Sequence, residues 1–329
     1  MDEKNQATVI IVNWNSGKDL EKCLAALKNQ TRPPKQIIVV DNASSDDSLF
    51  GVEENFPHVD LIRLDDNTGF SQANNLAVKK VKACDWIAFL NPDAFAAPDW
   101  LENLLHAAER NPGYAFFGSH MLRHGVADEL DGTGDVYHVS GLAWRRDHGL
   151  SASATKRVTA EVFSACAAAA MIRKDVFLEA GGFDENFRSY FEDVDLGFRI
   201  RLLGHRCLYV ADAVVEHVGS GSTHRTSDYA TYHGNRNLVW AYIKNMPGIL
   251  FWIYLPQHLL ANLAALIWFT IQGKGNVVFR AKMDALKGLP RAFAQRKTIQ
   301  QNKKIPNCNI RRAMVKGWFL PYSKKKRAV

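Results

Sequence analysis

An α/β fold, a mostly parallel sheet with helices on both faces, is predicted by three features of the first hundred residues. Short β-branched runs alternate with segments whose apolar residues recur at helical spacing. The strand-then-helix order repeats, which is the rhythm of βαβ units. Every strand runs out into Asn, Asp or Gly, so polar groups gather beyond one edge of the sheet, where open α/β sheets bind their ligands.

Residues 8–12 (TVIIV) read as a buried strand, followed by Asn13-Trp14-Asn15. In DLEKCLAALKNQ, Leu20, Cys23, Leu24 and Leu27 share one helical face. Residues 36–41 form the second strand, which delivers Asp41 and Asn42, and SSDDSLFGVEEN opens with helix-capping residues. The third strand, residues 59–64, is followed by Asp66-Asn67-Thr68-Gly69 and the helical pattern FSQANNLAVKKV. The fourth, residues 85–90, ends in Asn91-Pro92-Asp93. Pro98 and Asp99 then open the helix PDWLENLLHAAER at positions that suit Pro and an acid. Residues 114–156 are less regular; ELDGTGDVYH, rich in Gly and Asp, predicts loops that could contact a second substrate. EVFSACAAAAMIRKDVFLEAGGFDENF returns to strand then helix, and RCLYVADAVVEHVGSGST holds a strand that ends in Glu216-His217 and a Gly/Ser loop. Neither GxGxxG nor GxxxxGK[ST] occurs, which excludes a standard dinucleotide fold or P-loop.

With 329 residues, 47% hydrophobic and 23% charged, the chain has core material for about two domains. The boundaries expected are a catalytic unit over residues 1–240 and a C-terminal unit over 241–329. Five scattered cysteines without a CxxC pair argue against a zinc site or disulfide framework and for a reducing compartment. The polar start, MDEKNQATVI, predicts no signal peptide. Charge is uneven: residues 272–329 carry sixteen Lys/Arg against one acid, Asp284, while the rest of the chain has 25 basic and 33 acidic residues. Between Lys244 and Lys274 there is no charged residue, and ILFWIYLPQHLLANLAALIWFTI has the length of a bilayer span, with aromatics near both ends. Pro256, Gln257, His258 and Asn262 interrupt it. Three placements suit it: a membrane-surface or half-inserted helix pair, a true span, or a buried helix or homo-oligomer contact. An apolar segment followed by a polybasic one predicts attachment to an anionic membrane surface, peripheral or monotopic, rather than nucleic-acid binding.

One stretch carries excess negative charge. In RSYFEDVDLGFRIRLLGHR, Glu192, Asp193 and Asp195 fall where a helix begins. Acids favour a first helical turn, and Asp195 can pair with Arg199 one turn on. That leaves carboxylates next to Tyr190 and Phe191 without an evident partner, which marks them as functional candidates.

The segments TVIIVNWN, IIVVDNASSD, DNTGFSQANN, FLNPDAF, GGFDENF…YFEDVDLGFRIRLLGHR and VVEHVGSGST, in that order over about residues 7–240, resemble the inverting glycosyltransferases of family 2, and within them the rhamnosyltransferase-like branch. The resemblance implies the GT-A fold and a nucleotide-sugar donor, dTDP-rhamnose first and UDP-sugars next. It implies a glycan or lipid-linked acceptor in cell-surface polysaccharide synthesis, at the cytoplasmic face of the membrane. By the same resemblance, Asp41 contacts the pyrimidine base with Asn13 and Asn15 near the nucleotide, and Asn67, Gly69, Asn74 and Asn75 line the nucleotide and diphosphate. Asp93 stands for the last acid of the family's DxD metal motif, whose first acid is replaced here by Asn91. His217 supplies another ligand to Mg²⁺ or Mn²⁺, and Asp193 is the catalytic base, with Glu192 orienting it or touching the acceptor. One base and one metal suffice for single displacement with inversion, whereas a glycosidase would need two carboxylates flanking the bond. A non-catalytic sugar-nucleotide-binding membrane protein is the alternative from another class.

Overall fold

The computed structural model describes residues 6–219 and 227–318. The end of the expected Gly/Ser loop after His217 and the basic residues at 324–327 lie outside the described residues. In the first half, β1 (Ala7–Asn13), β2 (Gln36–Asp41), β3 (Val59–Arg63) and β4 (Trp86–Leu90) alternate with α1 (Asp19–Lys28), the short α2 (Val52–Asn55) and α3 (Phe70–Val78). The strands are all parallel, in the order β4-β1-β2-β3. The apolar runs that mark β1, β2 and β4 in the sequence are buried on both faces, the usual condition of a parallel sheet, while the edge strand β3 is only partly buried.

The second half departs from the parallel pattern. After β5 (Ala94–Ala96) and α4 (Trp100–Arg110), β6 (Tyr114–Arg123) enters the sheet as a ten-residue strand where irregular chain was expected. ELDGTGDVYH likewise forms strands rather than loops: β7 (Leu130–Gly132) pairs with β6, and β8 (Asp135–Tyr137) pairs with β9 (Ala143–Arg145). Its Gly and Asp residues suggest turns, but Leu130, Asp131, Asp135 and Tyr137 are buried, and tertiary pairing overrides local preference. β10 (Ala160–Val162), β11 (Ala169–Arg173) and β12 (Arg206–His217) complete the sheet. β11 lies antiparallel between β4 and β6, and β12 runs parallel to β6. Among the described residues the sheet order is β10-β12-β6-β11-β4-β1-β2-β3.

Helices cover both faces, as expected. Leu20, Leu24, Leu27, Trp100 and Leu104 pack on one, and Ala73, Ala77, Phe177, Leu196 and Ile200 on the other; the last three belong to α5 (Lys174–Glu179) and α6 (Glu192–Leu202). A third core joins the catalytic half to the C-terminal helices. Tyr137, Phe163, Phe187 and Phe198 pack with residues of α7 (Asp228–Asn245), α8 (Gly248–Ile271), α10 (Leu289–Gln301) and α11 (Asn307–Ala313). The helix that crosses residue 240 therefore belongs to this shared core.

α8 is long and apolar enough to cross a membrane by length and composition. Both its ends are nevertheless tied to the same body. At its start the Tyr242 hydroxyl donates to the Phe251 carbonyl, and the His258 ring stacks on Tyr242 at 4.0 Å while its Nδ1 donates to the Ser140 carbonyl. Gly141 makes that approach feasible: its φ is +89°, and a Cβ there would sit 2.8 Å from His258 Nδ1. Past its end, Lys274 pairs with Asp228, and α9 (Gly275–Lys287) runs back beside α7, where Trp240 Nε1 donates to the Ala285 carbonyl. The outer side of α8 stays uncovered, with Trp252 65% and Ile271 76% exposed.

The deepest polar link lies between α6 and α7. Asp195 is buried, pairs with Arg199 as expected, and also binds Lys244 Nζ at 3.0 Å and Asn245 Nδ2 at 2.7 Å. Lys244 is itself buried and pairs with Asp184 as well. The Asp195–Arg199 pair is thus part of a buried network and not a surface helix pair. Burial pushes the Asp184 carboxyl up, but Lys244 and the Asn186 donors outweigh it and hold it below its ordinary 3.8. Lys244→Met should cost about 3–5 kcal/mol at pH 7, since it strands two buried carboxylates. The Asp184 share of that cost is fully present above pH 3.8 and lost as pH falls through the depressed folded-state value. Urea unfolding of both proteins at pH 7 and pH 3 checks this; a constant difference contradicts it.

Candidate active site

The ends of β1 and β2 stand side by side, Asn13 opposite Asp41. Asn13 Nδ2 donates to Asp41 Oδ1 at 3.0 Å and to the hydroxyls of Ser44 and Ser48 at 3.1 and 2.9 Å, and its Oδ1 accepts from Ser16. Asn15, in the left-handed region at φ 50°, accepts from the Ser45 amide through its side chain and donates its own amide to Ser44. Asn42 carries the pattern to the next strand end: its Nδ2 donates to Asn67 Oδ1 at 3.1 Å, and its Oδ1 accepts from the Thr68 amide. The Gly69 amide donates to the same Asn67 oxygen. Asn74 and Asn75 turn their amides into the fold. Asn74 donates to the Phe70 carbonyl, and Asn75 exchanges bonds with the Phe183 backbone and donates to Glu185.

β5 and β12 pair so that His217 lies opposite Ala94, which brings His217 Nε2 to 3.3 Å from Asp93 Oδ1, with Asn91 Nδ2 at 3.5 Å. The other ring nitrogen, Nδ1, meets Asp131 Oδ2 at 2.7 Å. Burial pulls the His217 pKa down, but hydrogen bonds to Asp131 and Asp93 outweigh it and leave it raised. A carboxylate behind the histidine fixes the tautomer that leaves Nε2 as the ligating atom. Asp93 oxygen and His217 nitrogen together suit Mg²⁺ or Mn²⁺ completed by phosphate oxygens and water. Among the described residues no group of three or more His, Cys, Asp and Glu side chains is placed to hold a metal ion.

Asp131 also pairs with Arg145. Burial would lower the Arg145 pKa, but the Cys166 thiol and the carboxylates of Asp131, Asp135 and Asp193 raise it instead. Of these, Asp193 lies in the first turn of α6. There Asp193 Oδ2 accepts the Ala167 amide at 3.2 Å, and Oδ1 accepts the Val194 amide at 2.8 Å. The next carbonyl, Ala168, accepts the Asn91 amide, so the strand end that carries Asp93 and the helix that carries Asp193 grip one short segment. Glu192 and Asp135 are buried, and each has one carboxyl oxygen without a partner among the described residues. Burial, then the Asp193 charge, raises the pKa of both.

The approach to α6 is strained. Arg188, Tyr190 and Phe191 have φ of 62°, 67° and 72°, each costing about 1–3 kcal/mol for a residue other than Gly. Gly69 packs against the Arg188 backbone, where a Cβ would meet three atoms at 3.0 Å, and Arg188 donates to the Asn67 carbonyl. From the other side, buried Asn237 of α7 donates to the carbonyls of Phe187, Ser189 and Tyr190 at 3.1, 3.0 and 2.7 Å. Arg236 adds donors to the Asn186 and Phe187 carbonyls. Sequence reasoning passed over Asp131, Asp135, Arg145, Arg236 and Asn237. The signal for the last two is a polar run, HGNRN, set into a helix that is otherwise apolar.

Asn237→Ala takes the side-chain donor from the Ser189 and Tyr190 carbonyls and leaves the Phe187 carbonyl to Arg236 and the Ser189 amide, and Asp193 inherits the error. A displacement of about 1 Å near a reacting group costs on the order of 10²-fold in rate. The expected outcome is a fall in kcat of that order with donor KM little changed, read by steady-state kinetics. An unaltered kcat in a folded variant contradicts the positioning role.

The family model described as glycosyl transferase family 2 matches residues 8–181. The N-acetylglucosaminyl-diphospho-decaprenol L-rhamnosyltransferase of Mycobacterium tuberculosis is 29% identical over 248 residues, 68% of this chain and 80% of that protein. The O-antigen chain rhamnosyltransferase of Salmonella typhimurium is 29% identical over 212 residues, 64% of this chain and 65% of that protein. Two solved structures share the fold. The mannosyltransferase of Pyrobaculum calidifontis, with GDP-Man and Mn²⁺, has a TM-score of 0.51 at 17% identity, over 91% of this chain and 85% of that chain. GalNAc-T7, with UDP, GalNAc and Mn²⁺, has a TM-score of 0.58 at 18% identity, over 74% of this chain and 48% of that chain, about half of its length. With a family model over more than half of its residues, the chain belongs to glycosyl transferase family 2.

Proposed function

We propose that the protein is an inverting, metal-dependent transferase that moves L-rhamnose from dTDP-rhamnose to a lipid-linked glycan acceptor, in cell-surface polysaccharide synthesis at the cytoplasmic face of the membrane. The observation that carries this reading is the juxtaposition of an Asp93–His217 pair backed by Asp131 with the anchored carboxylate of Asp193, the two held on either side of the Ala167–Ala168 segment. Asp93 and His217 would hold Mg²⁺ or Mn²⁺, which would supply positive charge against the departing diphosphate. The Asn13–Asp41 and Asn42–Asn67 networks bind the nucleotide. Asp193 takes the proton of the acceptor hydroxyl as that oxygen bonds to the anomeric carbon and the nucleotide diphosphate leaves from the opposite face. Its two backbone amide donors keep its carboxylate oriented. Glu192, whose carboxyl is pushed up by burial and by the neighbouring Asp193 charge, orients the acceptor. The names of the relatives favour rhamnose and a polyprenyl-diphosphate acceptor; the UDP bound by GalNAc-T7 keeps UDP-sugars as the second donor class.

The exposed face of α8, with the Lys/Arg-rich α9–α11 beside it, supports docking on an anionic membrane. Because both ends of α8 are tied to the catalytic body, the helix lies along the surface. Co-sedimentation of the full chain with anionic vesicles at low salt is expected. Protein that stays in the supernatant and elutes as a stable dimer assigns this face to a homo-oligomer contact instead.

A screen of dTDP-, UDP- and GDP-sugars with and without Mn²⁺ tests the transferase reading; turnover of dTDP-rhamnose that stops on chelation is expected. Asp193→Asn should bind donor normally and lose roughly two to four orders of magnitude in single-turnover transfer. Glu192→Gln, close in shape to a neutral Glu, should lose much less. Asp93→Ala and His217→Ala should each abolish metal-dependent donor binding by calorimetry. No turnover of any sugar nucleotide overturns the reading, and an active Asp193→Asn beside a dead Glu192→Gln moves the base to the neighbouring carboxyl.

A further inference from the structure

Between α7 and α9 lies an open cavity of about 550 Å³, lined by Asp228, Tyr229, Tyr232, His233, Arg280 and Asp284. We infer that it seats the headgroup of the acceptor, a glycosyl phosphate or diphosphate carried on a lipid tail. This rests on the transferase reading above and assigns the acceptor its place. Three observations carry it.

The first is chemical. Tyr229 and His233 rings lie 4.3 Å apart, Tyr232 stands edge-on to His233 at 5.1 Å, and the Arg280 guanidinium stacks over Tyr232 at 5.0 Å. Aromatic faces cover the C–H faces of a pyranose, while a guanidinium grips phosphate or vicinal hydroxyls in two-pronged fashion. The two acids are already engaged. Asp284 accepts from the Tyr232 hydroxyl and pairs with Lys287, and Asp228 pairs with Lys274. Their charge is thus offset where an anionic headgroup must enter.

The second observation is the link to the catalytic loop. The Tyr229 hydroxyl lies 3.4 Å from Ser189 Oγ, and its ring meets Tyr190 at 6.2 Å. Ser189 and Tyr190 are the residues whose carbonyls Asn237 holds, directly before Glu192 and Asp193. One wall of the cavity is therefore continuous with the loop that aims the proposed base.

The third is the other rim. Phe279, Met283 and Leu286 of α9, interleaved with Arg280 and Asp284, are 57%, 41% and 54% exposed. Beyond them the exposed row of α8 continues with Leu259, Leu263 and Ile267. A molecule that is polar at one end and a hydrocarbon at the other matches a polar cavity opening beside an apolar ridge.

The test is calorimetry of the full chain with octyl-diphospho-N-acetylglucosamine below its micelle concentration, beside octyl diphosphate and N-acetylglucosamine alone. Binding of the complete probe well above either part is expected. The Tyr229→Ala/Arg280→Ala double variant should bind it at least tenfold more weakly at unchanged dTDP-rhamnose affinity, which also reports that the variant is folded. Arg280→Gln, which alters one exposed side chain, is the second variant and should show part of the loss. Equal probe affinity in wild type and variants, or no binding by wild type, overturns the site. A wild type that binds the probe but neither binds nor cleaves any sugar nucleotide supports the cavity as a glycolipid site and sinks the transferase reading instead.

Discussion

The Lys244 ammonium, buried between the Asp184 and Asp195 carboxylates, is the contact on which the rest of the arrangement depends. It sits in the last turn of α7, where a cation also meets the negative end of the helix dipole. Desolvating three charges is costly, and the cost is offset only because Arg199 and Asn245 complete the shell around Asp195. Asp184 precedes the strained loop, and Asp195 lies in the first turn of α6. A single side chain from the C-terminal helices therefore fixes both ends of the segment that carries Glu192 and Asp193.

Within those fixed ends the loop takes a shape its residues do not prefer. Three left-handed residues are tolerated because Gly69 lets the chain approach from one side and Asn237 saturates the carbonyls from the other. The same loop thus touches the segment that ends β3 and the helices beyond the sheet. One strained backbone bridges the end of β3 and α7.

Charge at the centre is managed by Arg145. Asp131, Asp135, Asp193 and the Cys166 thiol all act on this guanidinium. Without it the acids around His217 and α6 would repel one another in a poorly solvated cleft. Burial, and then the Asp193 charge, pushes the Glu192 and Asp135 carboxyls upward.

Much of this was legible in the chain itself. The four parallel strands, the polar residues at their ends, the acid cluster and the uncharged apolar helix follow from periodicity and turn chemistry, and the candidate pair Asp93 and His217 from the ordered segments that resemble family 2. Those signals are local or lie in short ordered segments, and local spacing survives folding. What the sequence could not reveal depends on long-range pairing. β7 and β8 looked like loops because Gly and Asp are poor strand formers, yet the pairing of β7 with β6 makes Asp131 the support of His217. Arg145, Asn237 and Lys244 are ordinary polar residues by composition. They acquire roles only because the fold brings them to a carboxylate 14 residues away, to carbonyls 47 to 50 residues away and to an acid 60 residues away. Tertiary structure decided them because burial, which makes a donor or a charge matter, is not a property of any residue alone.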